Sequence, residues 1–379
     1  MTATIPAPPD WAAGSLASVL PGVADRLGVA RYAGQDLLDL PEAKGTVVVL
    51  VDGLGYDLLR QRGGHAPFLR THLAAARRIP CGFPTTTATS MGSFGTGLPP
   101  GSHGLVGFQV LDPDRDHLLN ELSWEDGPDP VLWQPSDTVF EHAENAGVRV
   151  TRIGPRYFDG SGLTNAALRG GVFTAAKTLD ERVTAAVRAI QSAPRALVYL
   201  YWGDLDKTGH VHGCQSWQWG DELESIDRAL AELVQRVPAG TSIVVTADHG
   251  MVDIPLDNRL DLAHEPDLMA GVRHLAGESR SLQLHVEKGA ASAVREAWHQ
   301  RLGKRATIMS RDEAIDAGWF GPVRDGVAGR IGDLIINMRG SFAMVHSGLM
   351  RPELVRLLGL HGSTSDAEIA IPVIAIPPR

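Results

Sequence analysis

Along the chain, short all-apolar runs alternate with longer stretches in which apolar positions recur every three or four residues. Four runs, residues 46–51, 148–153, 196–201 and 242–246, have the length and β-branched content of strands buried on both faces. Between them lie helical patterns. Across residues 221–237 the apolar positions Leu223, Ile226, Leu230, Leu233 and Val237 fall at steps of three and four, and Pro238 stops the pattern. Strands alternating with such crossover helices predict an α/β fold, a mostly parallel sheet sandwiched by helices. The texture changes over residues 256–345, where Ser281–Val286 reads as a strand and residues 290–302 as a helix. This predicts a small inserted α+β cap subdomain, with residues 1–255 and 346–379 forming the core. The apolar run 369–376 then returns to the main sheet, and no internal repeat or low-complexity tract is present.

Composition narrows the class without changing the fold. At 379 residues, with 44% hydrophobic and 21% charged, the chain can bury a large core and falls outside the disordered and fibrous classes. A net charge of −9 argues against a nucleic-acid polymer as partner. It says little about a small anion, because bound divalent cations reverse the local field. Cys81 and Cys214 are too few for a disulfide framework and form no Cys-x-x-Cys pair. The start, residues 1–10, is Pro/Ala-rich and lacks a basic-then-apolar leader, and no apolar run reaches the roughly 20 residues of a membrane span. These features lead to the expectation of a cytoplasmic protein with no membrane partner.

Carboxylates and imidazoles collect where the predicted strands end, the edge at which open α/β sheets bind ligands. Asp52 follows the first run directly and suits either a metal or a cap on the next helix. After the third run comes Asp204-Leu205-Asp206-Lys207-Thr208-Gly209-His210-Val211-His212. Spacing alone does not separate Asp204 from Asp206, but in a helix Asp206 and His210 share a face and can grip one ion. The fourth run ends in Asp248-His249-Gly250, an adjacent acid and imidazole that aim at one point if the glycine lets the chain turn. Between the first two runs stands Thr85-Thr86-Thr87-Ala88-Thr89-Ser90, followed by Thr96-Gly97-Leu98-Pro99-Pro100-Gly101-Ser102-His103-Gly104. A hydroxyl cluster opening a helix either caps it or places an oxygen where free N–H groups favour anions.

In this order, Asp52, the Thr cluster with its Thr-Gly-Leu-Pro-Pro-Gly-Ser-His-Gly segment, Asp-x-x-x-His, Asp-His-Gly and a late His-Gly resemble the alkaline phosphatase superfamily. The similarity is greatest to its nucleotide pyrophosphatase/phosphodiesterase branch. The resemblance implies two divalent metal ions, zinc with manganese as the alternative, one held by Asp206, His210 and His361 and one by Asp52, Asp248, His249 and Thr87. Thr87 is the implied catalytic nucleophile, nine residues before Thr96, with Thr86 as the fallback. His361 is preferred to His346 because it precedes a Ser-rich turn and the final run. Ser90 takes a position where the branch commonly has a substrate-binding Asn, and Ala88 and Thr89 also depart from the usual aromatic and Pro. The implied activity is metal-dependent hydrolysis of phosphodiester or pyrophosphate bonds in a small phosphorylated substrate, nucleotides among the candidates, through a phospho-threonine. A phosphomonoesterase, a phosphonate hydrolase and a phosphomutase are the alternatives. Trp217, Trp219, Trp319 and Phe320 are available to stack on a flat group or to fill the core, and His103, His212, His285 and His299 read as structural or exposed.

Overall fold

The computed structural model describes residues 7–379, so the first six residues of the Pro/Ala-rich start lie outside the described residues. In chain order the main sheet uses β1 (Gly45–Val51), β2 (Arg77–Pro80), β3 (Arg149–Gly154), β4 (Val172–Ala175), β5 (Ala196–Trp202) and β6 (Thr241–Thr246). A second sheet uses β7 (Val272–Glu278), β8 (Ser281–Val286), β9 (Ala306–Ser310) and β10 (Leu334–Met338), and β11 (Ala370–Ile376) rejoins the first. The main sheet runs β2-β11-β6-β1-β5-β3-β4. From β6 to β4 every pairing is parallel, whereas β11 lies antiparallel to both β6 and β2.

Every residue of β1, β5 and β6 is buried, which is why these strands read as unbroken apolar runs. Helices cover both faces. Tyr199 of β5 meets Phe94 at 5.2 Å on α1 (Thr87–Thr96) and Phe140 at 5.8 Å on α2 (Val139–Asn145). Its neighbours Leu200 and Trp202 point the other way, with Val49 and Val51, towards α3 (Leu179–Ile190) and a second helix, α5 (Trp217–Arg236). Between β5 and α5 lies the short α4 (Asp204–His212). Helix α5 begins four residues before the expected start, because the Ser216 side chain accepts from the Trp219 N–H and caps a turn that apolar spacing does not mark.

The second sheet is wholly antiparallel, in the order β7-β8-β10-β9. Leu334, Ile336 and Met338 of β10 pack with Leu284 and with Val294, Trp298 and Leu302 of α6 (Ala291–Leu302). The alternate residue Ile335 joins the main core instead, along with Met309. Period-two alternation thus lets one strand serve two cores. Trp319 and Phe320 also belong to the main core, at 5.1 and 5.4 Å from Phe83. They and Trp219 are fully buried, so none stands free for stacking, while Trp217 is exposed. Among the described residues no helix is long and apolar enough to cross a membrane.

Candidate functional site

Five backbone segments meet at the carboxyl ends of β1, β5 and β6: the residue after β1, the amino-terminal turn of α1, the helix α4, the loop after β6 and the loop before β11. Asp52 follows β1 and is buried; the Tyr201 hydroxyl donates to its Oδ2. Asp248, after β6, accepts from the Gly53 N–H at 3.1 Å and the His249 N–H at 3.0 Å, both on Oδ1. That leaves Asp52 Oδ1, Asp206 Oδ1 and Asp248 Oδ2 buried without a hydrogen-bond partner.

The histidines are arranged to complement those oxygens. His210 Nδ1 lies 2.7 Å from Gly359 O, His249 Nδ1 3.0 Å from Gly250 O, and His361 Nδ1 2.9 Å from Thr85 O. Each carbonyl can accept only from a protonated Nδ1, which selects the tautomer whose Nε2 lone pair faces the site. His210 Nε2 is 3.1 Å from Asp206 Oδ2, and His361 Nε2 is 3.9 Å from Asp206 Oδ1. On the other side His249 Nε2 lies 3.5 Å from Asp52 Oδ1 and 3.4 Å from Asp248 Oδ2. Ligand atoms of Asp52, Asp248 and His249 lie within 4.8 Å of one another, as do those of Asp206, His249 and His361.

Helix α4 does form, so Asp206 and His210, one turn apart, share a face as a helix requires. Asp206 belongs to one of the two candidate ligand groups and Asp204 to neither, which separates the two acids that spacing left equal. Gly53 adopts φ +74°, and a Cβ there would press on Asp206. Gly250 serves close approach and not a left-handed turn, since a Cβ would sit 2.0 Å from Ala367 O.

Thr87 is the first residue of α1, and its Oγ1 lies 3.2 Å from His249 Nε2. No side chain caps this helix start. Its free N–H groups and partial positive charge therefore face the site. Ser90 departs from the expectation of a substrate-binding residue: it is buried and its Oγ donates to Asp248 O at 2.7 Å. It holds a ligand loop in place and has no proton left for a phosphate oxygen. His346 is only partly buried and falls in neither ligand group. Of the histidines set aside, His103 and His285 are buried in the fold, and burial lowers them to about 3 and about 4. Pattern reading overlooked Tyr201, Glu278 and Tyr157. Tyr157 is three-quarters exposed and packs edge-on, at 4.9 Å, against Phe158, which in turn meets Tyr201 at 5.1 Å. Its aromatic side chain next to Phe158 is the one signal in the sequence that could have drawn attention to this rim.

Electrostatics decide what the cluster needs. Burial, then Asp248 and Asp206, push the Asp52 carboxyl well above its usual range. Burial, then His249, drives His361 well below the usual imidazole range. At Asp206 burial acts upward too, but the neighbouring histidines, His210 first, outweigh it and hold the carboxyl low. Several buried carboxylates with unpartnered oxygens are costly unless a cation completes them. A mixed oxygen and imidazole donor set fits divalent metal, and a bound ion would reverse the upward pressure on Asp52.

Comparisons with known proteins bear on the family and the fold. Residues 46–364 match the type I phosphodiesterase / nucleotide pyrophosphatase family. The human ectonucleotide pyrophosphatase/phosphodiesterase family member 5 is 24% identical over 249 residues, 59% of this chain and 50% of its own. This chain thus spans about half the length of that curated relative. The structure of murine ectonucleotide pyrophosphatase/phosphodiesterase 5 superposes with a TM-score of 0.71 at 19% identity, covering 88% of each chain. An inactive threonine-to-alanine form of that murine protein, in complex with AMP, superposes with a TM-score of 0.71 at 18% identity and 88% coverage of each. With an alkaline phosphatase-like fold and a family match across most of its length, the chain belongs to the type I phosphodiesterase / nucleotide pyrophosphatase family.

Proposed function

We propose that this protein hydrolyses phosphodiester or pyrophosphate bonds of a small phosphorylated substrate, using Thr87 as a covalent nucleophile beside two divalent metal ions. The single observation that carries the reading is the set of three unpartnered buried carboxylate oxygens facing the Nε2 atoms of His249 and His361, with the Thr87 hydroxyl beside them. Asp206, His210 and His361 would hold one ion, and Asp52, Asp248, His249 and Thr87 the other. Three imidazoles among the donors favour zinc, with manganese the alternative. When bound, the ions lower the energy of a deprotonated hydroxyl and neutralise charge on the transferring group.

The chain's own residues supply the rest. Thr87 Oγ1, having released its proton to solvent, attacks phosphorus, and the bond to the leaving oxygen breaks; that oxygen takes a proton from solvent. The first-turn N–H groups of α1 face the phosphoryl oxygens and stabilise their charge in both ground and transferring states. Water then attacks the phospho-threonine, the Oγ1–P bond breaks, and Thr87 regains its proton. Two in-line displacements give net retention at phosphorus. The AMP bound to the murine relative supports a nucleotide-type substrate, and the exposed Tyr157 ring offers a flat surface for one.

The test compares zinc-loaded protein on bis-aryl and mono-aryl phosphates, with Thr87→Ala as control. Preference for the diester and a loss of about 10³-fold or more in the Thr87→Ala variant are expected. Preference for the monoester moves the assignment to a phosphomonoesterase, and transfer to an acceptor hydroxyl without phosphate release moves it to a mutase.

A further inference from the structure

We propose that Glu278, at the end of β7, is a positioning residue of the metal centre, holding the His361 imidazole from the side away from the ligand cluster. The inference rests on the reading of His361 as a metal ligand and extends the site into the second sheet.

The tight turn joining β7 to β8 is driven into the catalytic core. Its Arg280 is fully buried and spends its guanidinium fork on Glu368, Nε to Oε1 at 3.0 Å and Nη2 to Oε2 at 2.7 Å. Nη1 donates to Gly340 O at 2.8 Å and Phe342 O at 2.5 Å. Glu368 in turn accepts from the Ser363 N–H at 3.1 Å and from the Ser365 hydroxyl. The hairpin tip and the loop that carries His361 are therefore one bonded unit. A fork–fork pair buried on both sides fixes geometry as well as charge.

Held there, Glu278 places Oε2 3.4 Å from His361 Nδ1, while its Oε1 is buried with no hydrogen-bond partner. Arg280 is committed to Glu368, so His361 is the group that this carboxylate addresses. The Thr86 side chain turns to the same carboxylate instead of capping α1, which ties Glu278 to the residue before the nucleophile. Gly362 permits the approach: its φ is +123°, and a Cβ would lie 2.7 Å from the Glu278 Cδ. A ligating imidazole generally donates its outer N–H to a carboxylate or carbonyl, which fixes the ring and raises its basicity. His361 has both acceptors, Thr85 O at 2.9 Å and Glu278 at 3.4 Å. The carbonyl sets the ring's tilt, and Glu278 Oε2 stands against the same Nδ1 edge and restricts the ring's rotation.

The experiment uses the full chain, wild type, Glu278→Gln and Glu278→Ala. It measures zinc dissociation constants by chelator competition, unfolding midpoints of the metal-free proteins, and kcat and KM on a bis-aryl phosphate. Expected is a weakening of one of two zinc sites by about ten- to hundredfold in Glu278→Ala and by at least about threefold in Glu278→Gln, which keeps one acceptor oxygen but puts an NH2 donor in place of the other. The metal-free midpoint of Glu278→Gln should stay at the wild-type value, and kcat should fall more than KM rises. Should Glu278→Ala fail to fold, Glu278→Gln decides alone. Wild-type zinc affinity in Glu278→Gln overturns the proposal, and so does an affinity loss matched by a lower metal-free midpoint, which marks a structural role. Wild-type protein that binds no zinc would instead defeat the reading of the site itself.

Discussion

The Tyr201 hydroxyl occupies Asp52 Oδ2 and leaves only Oδ1 to face the other ligands. Removing it frees the carboxylate to rotate, so Tyr201→Phe is expected to lower metal affinity or turnover by about ten- to hundredfold; unchanged zinc binding and kcat would count against it. This partnership could not be read from the sequence, because 149 positions separate its members and a tyrosine in an apolar run looks like core. The same distance problem hides Glu278, whose partner His361 lies in another part of the chain. Asp52, Asp248 and His249 were legible for the opposite reason: all three stand at or just beyond the end of a buried run, and strand ends are where such a sheet exposes side chains to ligand. Asp206 and His210 needed one further step, a helix that spacing allowed but did not require. Ser90 shows the limit of position matching, since a hydroxyl at the same place in the chain turned out to bond Asp248 O.

Helix α1 has to lie close to its neighbours to hold Thr87 in place, and its glycines record this. A Cβ on Gly95 would stand 1.8 Å from Ala167 O, a backbone atom that cannot swing away. Gly95→Ala is therefore expected to destabilise the protein by about 2 kcal/mol or more, whereas Gly64→Ala, with nothing within 4 Å, should stay within about 0.5 kcal/mol of wild type. Denaturant titration of both variants checks this, and equal midpoints would refute it. Among the strands, hydrophobic runs revealed burial but not direction. Nothing in Ala370–Ile376 announces that it runs antiparallel. The edge strand Arg77–Pro80 carries a single buried residue, Ile79, so its pairing depends on where the chain passes and not on a pattern.

Over the whole molecule, the proposed metal and protons would act on the same stability. An ion that binds only the folded form stabilises it by about 2.7 kcal/mol at a concentration one hundred times its dissociation constant. Calorimetry with and without chelator should show a lower midpoint for the stripped protein; identical midpoints would argue that no ion completes the carboxylates. Acid acts through buried imidazoles as well. Burial holds His103 at about 3 and His285 at about 4, against about 6.5 in the unfolded chain. Below pH 6.5 the unfolded state takes up protons that the native state refuses, so the stability each contributes is present above that pH and is lost as pH falls towards 4 and 3. Each imidazole adds a slope approaching about 1.4 kcal/mol per pH unit. In chelator, His103→Gln should show a shallower decline between pH 6.5 and 4 than wild type, and an equal slope would remove His103 from the account. The place of β11 has a consequence during synthesis. Strand β6 leaves the ribosome more than a hundred residues before the strand that covers its edge, a wait on the order of ten seconds at ordinary translation rates. Throughout that interval an edge destined for complete burial stands open with its backbone groups unpaired, a natural substrate for holding chaperones, and His361 has yet to be made, so capture of the proposed metal would belong among the final events of maturation.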